Sequence, residues 1–193
     1  FRNQTHQFRG IFIINSISVT CRETSGSIAE GGAVVSTGLS IFTDTQFIRN
    51  SILADSIFGG ALYGSLLTID NSLFVNNTCE HAALLSDPKS FGGAVCSTTL
   101  HVTSTEFSGN SAMNGGAVSI PHSTSTVINN TTLTFNSAFI GGAWYIGLKR
   151  NDKQELSFGD YGTLLNNTAE LYGDDSATTA CALISTRRNQ SNF

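Results

Sequence analysis

The chain has 193 residues, a net charge of −4 and only 12% charged residues, against 40% apolar ones. One domain with a real core fits that length, and 13 Phe exclude a disordered polar tail. Ten Lys and Arg on an acidic chain offer no phosphate-binding surface, so nucleic acid is not an expected partner. No run of residues reaches the roughly 18–20 apolar positions a membrane helix needs; the most apolar, Ile11 to Ile14, is strand-sized.

The opening residues 1–30 read as an atypical first turn of a pattern that then repeats. Gly-Gly-Ala and an apolar residue recur at Gly31-Gly32-Ala33, Gly59-Gly60-Ala61, Gly92-Gly93-Ala94, Gly115-Gly116-Ala117 and Gly141-Gly142-Ala143, at intervals of 28, 33, 23 and 26 residues. A second signature, Phe-x-x-Asn, lies between them at Phe47/Asn50, Phe74/Asn77 and Phe107/Asn110, with Leu in the Phe place at Leu133/Asn136 and Leu164/Asn167. The two keep phase: Phe107 to Ala117 aligns without a gap to Leu133 to Ala143. The last copy holds the frame through Tyr172-Gly173-Asp174, where the first Gly and the Ala are lost.

Each unit reads as three short strands, in the 92–114 unit Gly93–Cys96, Leu100–Thr103 and Glu106–Ser108, with period-two alternation. A small polar residue four positions before the Phe or Leu (Thr43, Asp70, Thr103, Asn129, Asp160) is expected to close a turn. Three strands per repeat predict a right-handed single-stranded parallel β-helix of six to seven coils, a solenoid in one domain over 1–193. Equal residues then stack about 4.8 Å apart. The rings form an apolar pile, each worth roughly 1.5–3 kcal/mol when buried. The Asn form an amide ladder, at a corner whose left-handed conformation Asn tolerates. Gly-Gly permits the other corner. Phosphate-cradling glycine loops are neither repeated nor without a following helix.

Two insertions, 78–91 and 145–155, interrupt the pattern, and a polar tail spans 186–193. The second insertion carries Lys149, Arg150 and Lys153 next to Trp144, a candidate interaction loop with an aromatic platform; a solvated loop over a packed Trp is the plainer alternative. Four widely spaced cysteines, Cys21, Cys79, Cys96 and Cys181, allow two disulfides or four buried thiols. Neither they nor the four His have metal-ligand spacing, so no metal or other cofactor is expected. Sequons at Asn3, Asn76, Asn129, Asn130, Asn166 and Asn189 are candidate glycosylation sites.

The paired Gly-Gly-Ala and Phe-x-x-Asn motifs over roughly 15–182 resemble the repeat of the chlamydial polymorphic membrane proteins. The resemblance implies a β-helix displayed outside the cell or at its surface, with adhesion to a glycan or a host or cell-surface receptor. A β-helix enzyme acting on polysaccharides is the alternative, but it needs a pair of acids about 5–9.5 Å apart. Asp70 and Asp160 fall three coils apart, and Asp174-Asp175 reads as a solvated polar cap, so no catalysis is expected. The chain opens inside the pattern, without a visible signal peptide, and is expected to be a segment of a longer array or a unit that stacks end to end on further coils or copies of itself, as fibre or coat.

Overall fold

A computed structural model describes residues 5–9, 13–15, 18–20, 28–54, 56–81, 89–122, 125–147, 156–158 and 162–178. All regular structure among them is β, and no helix there is long and apolar enough to cross a membrane. Every strand pairing is parallel, between equivalent segments one repeat apart. The chain is thus a parallel β-helix, with three sheets for walls. The described residues make six coils and open a seventh.

One coil shows the plan. Val95–Thr103 lies in the first sheet, Glu106–Ser108 in the second and Ser111–Asn114 in the third. Three strands in this coil is the number expected, but their partition differs. The segments at Gly93–Cys96 and Leu100–Thr103 meet in one wall, whose strand Val95–Thr103 is continuous through Ser97–Thr99. The third wall follows the ladder Asn, where no strand was expected. Its alternation is blurred, since Ala112 alone of Ser111–Asn114 points into the interior.

Three corners join the walls, each with a residue in the left-handed region. Between first and second sheets these are Asp44, Asn71, Ser104 and Asn130, at φ 44° to 55°. Between second and third they are Arg49, Asn76, Gly109, Phe135 and Asn166, each directly before the ladder Asn. The ladder Asn is therefore not the left-handed residue; its predecessor turns the corner and leaves the Asn side chain aimed inward. Between third and first sheets the first Gly of each pair turns the corner, as at Gly92 with φ +70°. The second Gly answers a different demand. A Cβ on Gly93 would stand 2.1 Å from the carbonyl oxygen of Gly116 in the next coil, far inside contact distance, so no side chain fits.

The interior follows the predicted columns. Phe74 pairs with Phe47 on one side and Phe107 on the other. Their rings stack at 4.7 and 4.8 Å, nearly parallel, and are at most 1% exposed. Leu133 continues the pile, and Leu164 ends it, 42% exposed in the outermost coil. Ala61, Ala94, Ala117 and Ala143 line the glycine corner, fully buried.

Of the 78–91 insertion, Thr78–His81 and Lys89–Phe91 are ordinary third-wall strands, paired to Ser51–Ala54 and Ser56–Phe58. The rest of it, 82–88, lies outside the described residues, as do 1–4, 148–155 and the 186–193 tail. Asp160 lies outside them too.

The last copy also changes frame. Ile140 pairs with Tyr172 across a register shift in Thr168–Tyr172. Gly173, at φ +77°, thereby takes the place of Gly141. Asp174 takes that of Gly142 and Asp175 that of Ala143, because the amides of Gly142 and Ala143 bond to the carbonyls of Gly173 and Asp175. The copy keeps its first Gly and loses the second Gly and the Ala, one residue away from the ungapped reading.

Two stability outcomes follow. Asn110→Ala strands several buried partners at about 1–3 kcal/mol each, so urea unfolding should show a loss of about 3 kcal/mol or more, whereas Asn76→Gly at the exposed corner should change stability by less than about 1 kcal/mol. Phe135 is held at φ 56° while 61% exposed; Phe135→Asn should raise the unfolding midpoint, a gain of about 1 kcal/mol from relieving the left-handed strain of a bulky residue.

Candidate functional site

The amide ladder takes up the buried Asn completely. Each Nδ2 donates to the Oδ1 of the next Asn at 2.9–3.0 Å, through Asn50, Asn77, Asn110, Asn136 and Asn167. Each Oδ1 from Asn77 onward also accepts the backbone N–H of the preceding Asn. The second Nδ2 hydrogen reaches back to the carbonyl of the preceding Phe or Leu, as from Asn110 to Phe74 at 3.0 Å. An amide has two donors and two acceptor sites; at Asn77, Asn110 and Asn136 all are used between coils.

A second ladder runs up the first corner, unforeseen from sequence. Thr45, Ser72, Thr105 and Thr131 are buried. Their hydroxyls donate to the carbonyls of Thr43, Asp70, Thr103 and Asn129, two residues back. The Ser72 and Thr105 hydroxyls accept the N–H of Thr45 and Ser72 from the coil before. The turn-closing role expected of Thr43, Asp70, Thr103 and Asn129 thus falls to their carbonyls. The readable signal was Ser or Thr two positions before the Phe or Leu, a spacing present in four copies and replaced by Gly162 in the last.

Outside this hydroxyl ladder lies an open cleft of about 790 Å³. Its rim is the column Asp44, Asn71, Ser104, Asn130, all exposed; Gln46 and Glu106 stand on the second-sheet side. Asn71 Nδ2 donates to Asp44 Oδ1, and Asn130 Nδ2 donates to Ser104 Oγ at 3.2 Å. The cleft therefore crosses four coils and presents polar side chains once per coil.

Trp144 is no platform. It is 4% exposed and belongs to the main core, where it pairs with Val118 and Ser176. Its position in the first strand after Gly-Gly-Ala points it inward like Leu62 and Val95. Lys149, Arg150 and Lys153 lie outside the described residues. A half-buried aromatic group lies at the glycine corner, where Phe58 stacks on Phe91 at 5.5 Å with Tyr63 and Tyr145 beside them.

Cys79 and Cys96 are free and buried, not bridged; Cys21 and Cys181 are outside the described residues. Burial pushes both thiols far above their ordinary range. For Cys79 the Ser90 side chain and the Gly59 backbone offset part of that shift, and for Cys96 the neighbouring Cys79 and Glu30 add to it. Among the sequons, Asn76, Asn130 and Asn166 stand exposed at left-handed corners. Asn129 is half-buried, and the Thr131 of its sequon is buried with its hydroxyl bonded. Asn3 and Asn189 lie outside the described residues. Among the described residues no group of His, Cys, Asp and Glu is arranged to hold a metal ion.

With this geometry in hand, residues 104–121 match the Chlamydia polymorphic membrane protein repeat. The matched stretch runs from the left-handed corner at Ser104 through Thr105, Phe107 and Asn110 to Gly115-Gly116-Ala117, so it holds every structural column of a coil. The resemblance read from the paired motifs holds at these residues. No curated protein and no solved structure matches the chain.

Raised thiol pKa values mean little thiolate at neutral pH. Iodoacetamide should leave Cys79 and Cys96 unmodified in the folded chain and alkylate both in denaturant, as peptide mass spectrometry will read. Rapid labelling of either in the native state contradicts the burial described.

Proposed function

We propose that the chain is a non-catalytic adhesive rod displayed at the cell surface. The repeat at 104–121, shared with polymorphic membrane proteins, supports the surface setting. The observation that carries the rest is the cleft over the hydroxyl ladder, which offers one polar rim position per coil across four coils. Its spacing is imposed by backbone stacking at about 4.8 Å, not by the side chains themselves. A ligand fitting such a face is itself linear and repeating, with hydroxyls to meet amide and carboxylate groups. That describes an extended glycan. Asp44 and Glu106 make the cleft acidic, which favours a neutral glycan over a sulfated or uronic one.

Both buried polar columns spend their hydrogen bonds on neighbouring coils, which supports the reading of a rigid rod. A receptor protein is the competing ligand class, and binding assays separate the two.

The test is a panel of neutral and acidic glycans over the immobilised chain. Neutral extended chains should bind saturably, and Asn71→Ala with Asn130→Ala should weaken them at least about tenfold, about 1.4 kcal/mol. Glycan binding untouched by those changes, or confined to acidic chains, removes this face from the proposal. Binding to a cell-surface protein in place of any glycan overturns the ligand class.

A further inference from the structure

The outermost described coil has a surface that invites another. Leu164, Leu165, Leu171 and Tyr172 are 42% to 59% exposed there. Thr163–Leu165 and Thr168–Tyr172 have no strand on their outer side among the described residues. Open parallel edges with apolar side chains are templates for pairing. The sequence-based expectation was that such ends stack on further coils or on copies.

Two residues oppose it. We infer that Asp174 and Asp175 form a stop that closes the glycine corner of this coil to an in-register second copy of the chain. The argument has three independent parts, none of which depends on the adhesive reading.

The first is steric. Asp174 occupies the second-Gly place of the repeat. In the five preceding copies a Cβ at that place would come within 2.0–2.1 Å of a carbonyl oxygen in the next coil. Asp174 has that Cβ, so a next coil cannot close against it at the spacing the rest of the array uses. The second is electrostatic. Asp175 occupies the place of Ala61, Ala94, Ala117 and Ala143, which faces the interior and is fully buried in each of those coils. A further coil would bury its carboxylate among apolar side chains without a counter-charge, and inward-pointing charge is a known defence of exposed strand edges. The third is saturation. Asn167 Nδ2, which would donate to the next Asn of the ladder, donates to Asp175 Oδ1 at 3.0 Å. The N–H of Ala169, on the open strand Thr168–Tyr172, donates to Asp174 Oδ1 at 2.9 Å. The pair thus supplies from within the last coil the acceptors that another coil would bring.

The consequence is polarity. Self-association of copies along the axis cannot use this corner, and adhesive contacts fall to the sides of the rod.

The full chain tests it. Asp174→Gly with Asp175→Ala restores the Gly-Gly-Ala of the earlier coils. That variant should sediment as concentration-dependent oligomers and form end-to-end rods in electron micrographs, where the unaltered chain stays single. In dilute solution, amide exchange at Ala169 should quicken at least about tenfold with its acceptor gone. Asp174→Asn with Asp175→Asn, which keeps the Cβ and the acceptors, should stay single with Ala169 protected. Rods built through this end by the unaltered chain overturn the inference. So do a Gly-Ala variant that remains single, unchanged exchange at Ala169, and association of the Asn-Asn variant.

Discussion

The structure depends on register between coils, and the buried carboxamide column enforces it. A coil displaced by one residue would turn Phe74 outward and put Asn77 out of reach of Asn50 and Asn110. Parallel pairing alone does not forbid such slips. The ladder does, because each amide is satisfied only when its counterpart stands directly above it, and an unsatisfied buried amide costs about 1–3 kcal/mol. The stacked rings at 4.7 and 4.8 Å then follow from the same alignment. Burial of the rings supplies stability; the amides supply uniqueness.

Three corners with different chemistry give the coil its shape. At one, Gly-Gly lets backbones from successive coils approach closely. At another, a hydroxyl ladder of Thr and Ser joins N–H groups of one coil to side chains of the next. At the third, the residue before Asn turns left-handed so that the Asn can point inward. Only the glycine corner forbids side chains outright, which is why Gly-Gly-Ala is the most constant element in the sequence. The other corners accept Asp, Asn, Ser, Arg and even Phe at the left-handed position, so their exposed side chains are free to vary. Surface variation on a fixed frame suits a molecule that presents ligand-binding faces.

The polymorphic membrane protein repeat and the fold agree at the level of individual columns. Ser104 to Pro121 is the stretch in which both ladders, the ring pile and the glycine corner occur consecutively. A motif that looks sparse in one dimension is dense in three, since every marked residue contacts its copy in the coils above and below.

The sequence by itself determined the parallel β-helix, the ring pile, the Asn ladder and the glycine corner. Each is a column of equal residues, and repetition at a fixed phase is visible in one dimension. It did not reveal how the strands divide among walls, because Leu100–Thr103 and Val95–Cys96 read as separate runs and only pairing to Leu62–Asp70 joins them into one strand. Nor did it reveal the third wall at Ser111–Asn114, whose alternation is weak. Trp144, which departs from Val and Leu, read equally as a platform or as a packed ring, and the wall it belongs to points it inward. The hydroxyl ladder escaped notice because Thr and Ser abound throughout the chain and gain meaning only from whose N–H they accept. The roles of Asp174 and Asp175 needed the bulge in Thr168–Tyr172, a one-residue shift. Such a shift costs little locally and is set by which hydrogen bonds the finished coil can make, so tertiary contacts alone decide it.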